Sequence, residues 1–158
     1  MNDQKRFSVA AVQMASGPSV EANLEEAASL IALAAQGGAR LVALPENFAL
    51  MGYRESDKLK IAEVDGDGPI QSFLRGQARR HGLILVGGTV PLETESRLRV
   101  RAAAPIYGPN GERLGCYDKI HLFDVEVAPG EAYRESETQE AGSEPLVIST
   151  ELGRIGVA

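Results

Sequence analysis

Cysteine, histidine and lysine are all scarce in this chain. Its 158 residues include one cysteine, Cys116, and two histidines, His81 and His121. A lone cysteine excludes an internal disulfide and is typical of a reducing compartment, so we expect a cytoplasmic protein. Zinc needs three or four protein or solvent ligands. Two histidines far apart in the sequence are weak grounds for such a site, and we predict no metal ion.

Long apolar runs and positive charge are also missing. No run approaches the roughly 20 residues that span a bilayer, so we predict no membrane partner. The basic residues at Lys5 and Arg6 precede only a short apolar run broken at Gln13, which favours a first strand over a signal peptide. The net charge of −6 argues against nucleic acid as a partner. No Gly-x-Ser-x-Gly elbow, phosphate loop or dinucleotide fingerprint is present.

The apolar residues that are present alternate between strand and helix patterns. A hydrophobic fraction of 44% and a charged fraction of 24% are typical of a globular domain. We expect a first strand that is buried on both faces, then a helix that begins with a capping box at Asn23 and Glu26 and stops at Gly37. A second helix is expected to begin at Pro69 and to end at His81. The first strand is predicted at 7–14, further strands at 41–44, 83–90, 97–107, 113–117, 145–149 and 154–158, and a long loop at 124–144.

These elements predict one layered domain of the α/β or α+β class, spanning residues 1–158. Three of its charged residues are candidates for chemistry. Glu46 follows a buried strand, where α/β sheets place catalysts, although a helix-start glutamate is an equal alternative. Lys119 is one of only four lysines; it could stabilise an oxyanion, or pair with a neighbouring aspartate on a solvated loop. Glu135 lies in an acidic loop, and taken alone it reads as a solvated charge.

Cys116 is a poor candidate for a nucleophile. It lies in the predicted strand 113–117, where a free cysteine is usually a small buried hydrophobe. Residues 116 and 119 differ by an odd number, so in a continuous strand they point to opposite faces. A cysteine enzyme built on Cys116 therefore stays a weak alternative.

Together, Leu44–Phe48, Tyr117–Val125, Arg134–Ser136 and Gly153–Ala158 resemble the nitrilase superfamily of carbon–nitrogen hydrolases, and within it the Nit branch of small-amide amidases. The resemblance implies a four-layer αββα sandwich, incomplete in this chain, and a Glu–Lys–Cys triad with a second glutamate. By position, Glu46 matches the general base, Lys119 the catalytic lysine and Glu135 the second glutamate. The nucleophilic cysteine would fall at the second residue past Ala158. No cofactor is implied, and the family forms dimers or larger homo-oligomers.

The resemblance leads to two functional hypotheses. The first is the N-terminal part of a domain whose C-terminal part is missing, from an amidase that releases ammonia from a small carboxylate-bearing amide, such as deaminated glutathione or an α-keto-acid ω-amide. We expect this chain to be inactive as written, because it lacks the nucleophilic cysteine. The second is a non-catalytic truncated module that pairs with full-length subunits.

Overall fold

The computed structural model describes residues 6–128 and 131–158 of the chain. Lys5, considered above as part of a leader, lies outside the described residues, as do Pro129 and Gly130 of the predicted long loop. The α-helices in this part of the chain are α1 (Val20–Gln36), α2 (Asp57–Lys60) and α3 (Pro69–His81). The strands are β1 (Ser8–Ala11), β2 (Ala39–Ala43), β3 (Ile84–Val86), β4 (Val90–Glu93), β5 (Val100–Tyr107), β6 (Arg113–Asp118), β7 (Asp124–Ala128), β8 (Glu131–Arg134), β9 (Gln139–Glu140), β10 (Leu146–Thr150) and β11 (Gly153–Val157).

The main sheet is built around the long strand β5. Strands β1, β2 and β3 run parallel to one another, and β3 joins the end of β5 in antiparallel register. On the same side, β4 pairs with the beginning of β5. On the other side, β5 pairs with β6 and with the short β9. The sheet therefore places the ends of β2, β3 and β6 close together, which matters for the site described below.

Helices α1 and α3 cover one face of this sheet. Their apolar residues recur at helical spacing, so each helix turns one stripe inward. Side chains from both helices and from the sheet form the larger core, which includes Ala27, Ile31, Val42, Phe48, Ile70, Leu74, Leu85, Ala103 and Tyr107. Burial of this apolar surface is the main force that holds the helix layer on the sheet.

The β10–β11 hairpin covers part of the opposite face. Its Ile148 packs with Ile84 and Ile106 of the sheet in a second, smaller core. Gly115 of β6 lies directly beneath the hairpin, because a Cβ there would come within 2.9 Å of a Leu146 methyl. Helices, sheet and hairpin form three stacked layers, which confirms the predicted layered α/β class. No helix within residues 6–128 and 131–158 combines the length and apolar character that crossing a membrane requires.

Several predicted boundaries agree with the structure. Helix α3 begins at Pro69 and ends before Gly82, which adopts a left-handed conformation with φ of 62°. Helix α1 ends before Gly37, and Gly38 has φ of 83°. The predicted hairpin around Asn110 joins β5 to β6 in antiparallel register.

The predictions for the first strand and the first helix cap were wrong. Strand β1 is largely exposed, because it lies at the edge of the sheet, away from the small core under the β10–β11 hairpin. Helix α1 is capped by Ser19, whose hydroxyl accepts a hydrogen bond from the Ala22 N–H. Asn23 is instead buried, and its amide donates to the carbonyls of Gly17 and Ala49. The tertiary hydrogen bonds of Asn23 therefore take the place of the helix-capping hydrogen bond that the local sequence pattern predicted.

Two longer predicted segments also differ. The predicted strand 83–90 is two strands, because Gly88 adopts φ of 60° and breaks the extended run. Pro91 lies within β4 and does not end it, which the sheet tolerates because β4 is an edge strand. The predicted loop 124–144 contains the β7–β8 ribbon, a 3₁₀ turn at Glu135–Glu137 and β9.

Candidate functional site

Glu46 lies in the loop that follows β2, and the neighbouring backbone fixes that loop. Gly88 makes this possible, since a Cβ at Gly88 would lie 2.1 Å from the Pro45 carbonyl oxygen. The N–H of Asn47 donates a 2.8 Å hydrogen bond to the Thr89 hydroxyl. Phe48 is fully buried in the larger core and anchors the other end of the loop. The Glu46 side chain itself is 51% exposed.

Lys119 follows β6 directly, on the same edge of the sheet. Its N–H donates to the Ala102 carbonyl and its carbonyl accepts from the Gly142 N–H, so the backbone is held on both sides. Its side chain is 20% exposed and does not pair with Asp118, which bonds Arg101 instead. The solvated-loop alternative for Lys119 was therefore wrong.

Glu135 is buried, with a side chain only 11% exposed. It begins the 3₁₀ turn that follows the β7–β8 ribbon. Its Oε2 accepts from the Phe123 N–H at 2.8 Å, and its Oε1 accepts from the Gln139 side-chain amide at 3.0 Å. The local reading of Glu135 as a solvated charge was wrong, because the acidic segment is folded back by the ribbon and β9.

The three side chains meet at the Lys119 ammonium. Lys119 Nζ lies 2.7 Å from Glu46 Oε1 and 2.8 Å from Glu135 Oε2. Burial alone would lower the pKa of Lys119, but the hydrogen bonds to Glu135 and Glu46 outweigh it and raise that pKa. Burial alone would raise the pKa of Glu135, but the Lys119 hydrogen bond and the Phe123 N–H lower it. Both groups are therefore charged at neutral pH.

A pocket of about 340 Å³ opens beside these charges. Its polar wall carries Glu46 and Lys119 together with Thr89 and His121. Its apolar wall is formed by Leu44, Val86, Ala104, Tyr117 and Val157. The pocket has the size and mixed lining of a small-molecule site.

Cys116 lies on the other face of the sheet from this pocket. It packs against the larger core, whereas its neighbour Tyr117 lines the pocket. Burial raises the pKa of the Cys116 thiol above its ordinary value, with the Arg113 charge opposing the change. The parity argument is confirmed, and a nucleophilic role for Cys116 has no geometric support.

Two polar residues of the site were missed by the sequence analysis, Lys58 and Gln139. Both lie against Glu135 Oε1, at 3.9 Å for Lys58 Nζ. The scarcity of lysine, which drew attention to Lys119, applied equally to Lys58. No local sequence signal marked Gln139. Within residues 6–128 and 131–158, no group of three or more His, Cys, Asp or Glu side chains is arranged to hold a metal ion.

Comparison with known proteins identifies the family of this chain. The family model described as "Carbon-nitrogen hydrolase" matches residues 8–158. The chain belongs to the carbon–nitrogen hydrolase family. The prediction of nitrilase-superfamily membership, made from the four short motifs, is thereby confirmed.

Two of its relatives are named amidases of the Nit type. The chain is 38% identical over 157 residues to a deaminated glutathione amidase of Synechocystis sp., covering 98% of this chain and 57% of that protein. It is 35% identical over 159 residues to the ω-amidase NIT3 of Saccharomyces cerevisiae, covering 97% of this chain and 54% of that one. The chain thus spans about half the length of these curated relatives.

Solved structures of the family share the fold. Saccharomyces cerevisiae Nit3, described as a member of branch 10 of the nitrilase superfamily, matches with a TM-score of 0.79 and 31% identity over 95% of this chain and 54% of that chain. An amidase from Nesterenkonia sp. AN1 matches with a TM-score of 0.77 and 25% identity over 96% of this chain and 56% of that one. That structure shows the result of Michael addition of acrylamide at the active-site cysteine of that amidase. The nitrilase-type fold predicted for this chain is confirmed.

Proposed function

We propose that this chain carries the Glu–Lys–Glu part of an amidase active site, with Glu46 as general base, Lys119 as catalytic lysine and Glu135 as second glutamate. The observation that carries the proposal is the pair of short contacts from Lys119 Nζ to Glu46 Oε1 and Glu135 Oε2, at 2.7 and 2.8 Å. These contacts join residues that are 73 and 16 positions apart. Three charged groups from separate segments of the chain, two of which line a pocket, are an arrangement typical of catalysis.

The charges suit thiol attack on an amide carbonyl. Glu46 is half exposed toward the pocket and takes the proton of an incoming thiol. The Lys119 ammonium stabilises the oxyanion that forms when the thiolate attacks the carbonyl carbon. Glu46 then returns its proton to the departing ammonia, and a water activated by Glu46 hydrolyses the thioester to a carboxylic acid. Glu135 holds the ammonium in place throughout.

The thiol itself is the missing part of this scheme. Cys116 is the single cysteine of the chain and faces the opposite side of the sheet. We therefore expect the 158-residue chain alone to release no ammonia. From the resemblance to the family we propose that the nucleophile belongs two positions after Ala158 and that residues 1–158 are part of one larger hydrolase domain.

The substrate class proposed is a small amide that also carries a carboxylate, as in deaminated glutathione or an α-keto-acid ω-amide. It rests on the named activities of the relatives and on the volume of the pocket, about 340 Å³. Two of the three N–H donors of the Lys119 ammonium are held by carboxylates, and the oxyanion takes the third, so Lys119 has no donor left for a substrate carboxylate. The imidazole of His121 on the polar wall offers a ring N–H as a hydrogen-bond donor for such a carboxylate. Assembly into a homodimer, as in the family, is part of the same proposal.

A hybrid enzyme tests the proposal. Residues 1–158 are joined to the part of the Synechocystis amidase that lies beyond its matched region, and ammonia release from deaminated glutathione is measured. We expect the hybrid to be active and the 158-residue chain to be inactive. Glu46→Gln in the hybrid should reduce kcat/KM by at least about 100-fold, because the general base is lost.

The control is Glu21→Gln, a surface substitution in the first turn of α1, which should leave kcat/KM unchanged. A folded hybrid that releases no ammonia contradicts the proposal. So does an active hybrid that is indifferent to Glu46→Gln. A chain that binds the amide tightly but whose folded hybrid never turns it over would favour the non-catalytic module.

A further inference from the structure

A second lysine lies behind the proposed site. Lys58 extends from the four-residue helix α2, and its Nζ lies 3.9 Å from Glu135 Oε1. The Gln139 amide donates to the same oxygen at 3.0 Å. The two oxygens of Glu135 are thus divided: Oε2 faces Lys119, and Oε1 faces Lys58 and Gln139.

The burial of Lys58 requires an explanation. Its side chain is 12% exposed, whereas that of Lys60, two residues along the same helix, is 75% exposed. Lys60 pairs with Asp57 at the surface, which is the ordinary arrangement for a lysine on a short exposed helix. Lys58 also bonds Glu55 at 2.9 Å, a contact that a solvated lysine could make equally well. The contact with Glu135, by contrast, is possible only because the Lys58 side chain points inward.

Lys58 lies outside the substrate pocket. It lines a separate gap of about 10 Å³, with Asn47, Thr89 and Gln139 among its walls. A space of that size holds at most a single water molecule. Within residues 6–128 and 131–158, Lys58 does not line the substrate pocket, and its contact with the proposed site is made through Glu135.

Lys58 adds a second positive charge beside Glu135. Glu46 and Glu135 share the Lys119 ammonium, so Glu135 does not have that charge to itself. Lys58 lies at the other carboxylate oxygen of Glu135 and also pairs with Glu55. A second opposite charge within about 4 Å of a shielded carboxylate favours its ionised form. In its ionised form Glu135 accepts hydrogen bonds on both carboxylate oxygens, and Oε2 accepts the one from Lys119.

We propose that Lys58 is a positioning residue of this site: by holding the outer oxygen of Glu135, it fixes the inner oxygen, and with it the ammonium of Lys119. The catalytic meaning of this inference rests on the proposed function. The interaction between Lys58 and Glu135 itself can be measured without any substrate. The charged groups around Glu135 are Lys119 and Lys58, which in turn contact Glu46 and Glu55.

The test is a carbon-13 NMR titration of the glutamate carboxyl groups in the 158-residue chain. The Glu135 signal is assigned by its loss in Glu135→Gln. We expect Lys58→Met to raise the pKa of Glu135 by about 1 unit. Lys58→Arg should restore most of the shift, and Lys60→Met, the matched control on the same helix, should leave the Glu135 pKa unchanged. An unchanged Glu135 pKa in a folded Lys58→Met chain overturns the inference.

A reciprocal measurement covers the case in which Lys58→Met does not fold. In Glu135→Gln, the nitrogen-15 signal of the Lys58 ammonium should move while that of Lys60 stays in place. A Lys58 signal that does not move overturns the inference as well.

The hybrid enzyme separates this inference from the proposed function. An active hybrid whose kcat and pH profile are unaffected by Lys58→Met refutes the positioning role alone. An inactive hybrid, together with the expected Glu135 shift in the chain, refutes the amidase function and leaves the contact between Lys58 and Glu135 established.

Discussion

Glu135→Gln is the substitution whose consequences the structure defines most closely. The carboxylate accepts from Lys119 Nζ and the Phe123 N–H on one oxygen, and from the Gln139 amide on the other. A glutamine has an NH₂ group in place of one of these two oxygens, and that group would face a hydrogen-bond donor where the carboxylate accepted a hydrogen bond. The Oε1 side is the less costly, because the Gln139 Oε1 is buried and meets no donor within residues 6–128 and 131–158, and because the Lys58 ammonium there is 3.9 Å away whereas Lys119 is 2.8 Å from Oε2. A flip of that amide would turn its oxygen toward the new NH₂ group.

The remaining cost is electrostatic. Hydrogen bonds to charged groups contribute about 1.5–3 kcal/mol each to stability. In Glu135→Gln, the Lys119 ammonium would still donate a hydrogen bond, but to a neutral amide oxygen and no longer to a carboxylate. Allowing for partial exposure of Lys119, we expect Glu135→Gln to reduce the free energy of unfolding by about 2–3 kcal/mol at pH 7. The folded pKa of Glu135 is lowered, so its stabilising effect is complete above the unfolded value of about 4.3 and is lost as the pH falls through the lower folded value.

The assay is urea unfolding followed by far-ultraviolet circular dichroism, because the chain has no tryptophan. The difference between the wild-type chain and Glu135→Gln should be constant from pH 7 to about pH 5 and should shrink below about pH 4. Glu137→Gln, an exposed residue of the same 3₁₀ turn, is the matched control and should change little. A loss below about 0.5 kcal/mol at pH 7, or a loss that does not depend on pH, would refute the reasoning.

Three further predictions concern the scaffold around the site. Gly88→Ala should lower the free energy of unfolding by more than about 2 kcal/mol, because the residue has φ of 60° and its Cβ would meet the Pro45 carbonyl oxygen; urea unfolding checks this. Gly76→Ala, in the interior of α3 with open space around the new Cβ, should raise it by about 1 kcal/mol in the same assay. Cys116 should react with thiol reagents at pH 7 far more slowly than free cysteine, because burial raises its pKa, and Cys116→Ala should leave hybrid activity intact. Rapid labelling at pH 7, or loss of activity in Cys116→Ala, would contradict this account.

The layered class and most element boundaries could be predicted from sequence because they depend on local signals. Pro69 and Gly82 bracket α3, and Asn110 marks the β5–β6 turn, each through its own backbone preference. The failures arose where tertiary contacts decided. Asn23 is buried to join two loops, and Gly88 breaks a strand so that the Pro45 loop can approach. Neither of these tertiary contacts can be recognised from a short stretch of sequence.

The site was predicted unevenly for the same reason. Glu46 and Lys119 each follow a strand of one sheet, so their approach could be anticipated from chain order and family resemblance. Glu135 gave no local sign, since its burial depends on a ribbon and on β9, in a segment that reads as an acidic loop. Lys58 in α2 and Gln139 in β9 both contact Glu135, but no shared sequence pattern links these two elements. Only the folded chain shows that they share one oxygen.

The most direct test of the central claim is the effect of Lys119→Met on kcat/KM of the hybrid enzyme. If the ammonium between Glu46 and Glu135 stabilises the oxyanion, ammonia release should fall by at least about 100-fold while Lys60→Met leaves it unchanged. A Lys119→Met hybrid that folds and retains the unmodified hybrid's kcat/KM would contradict the account.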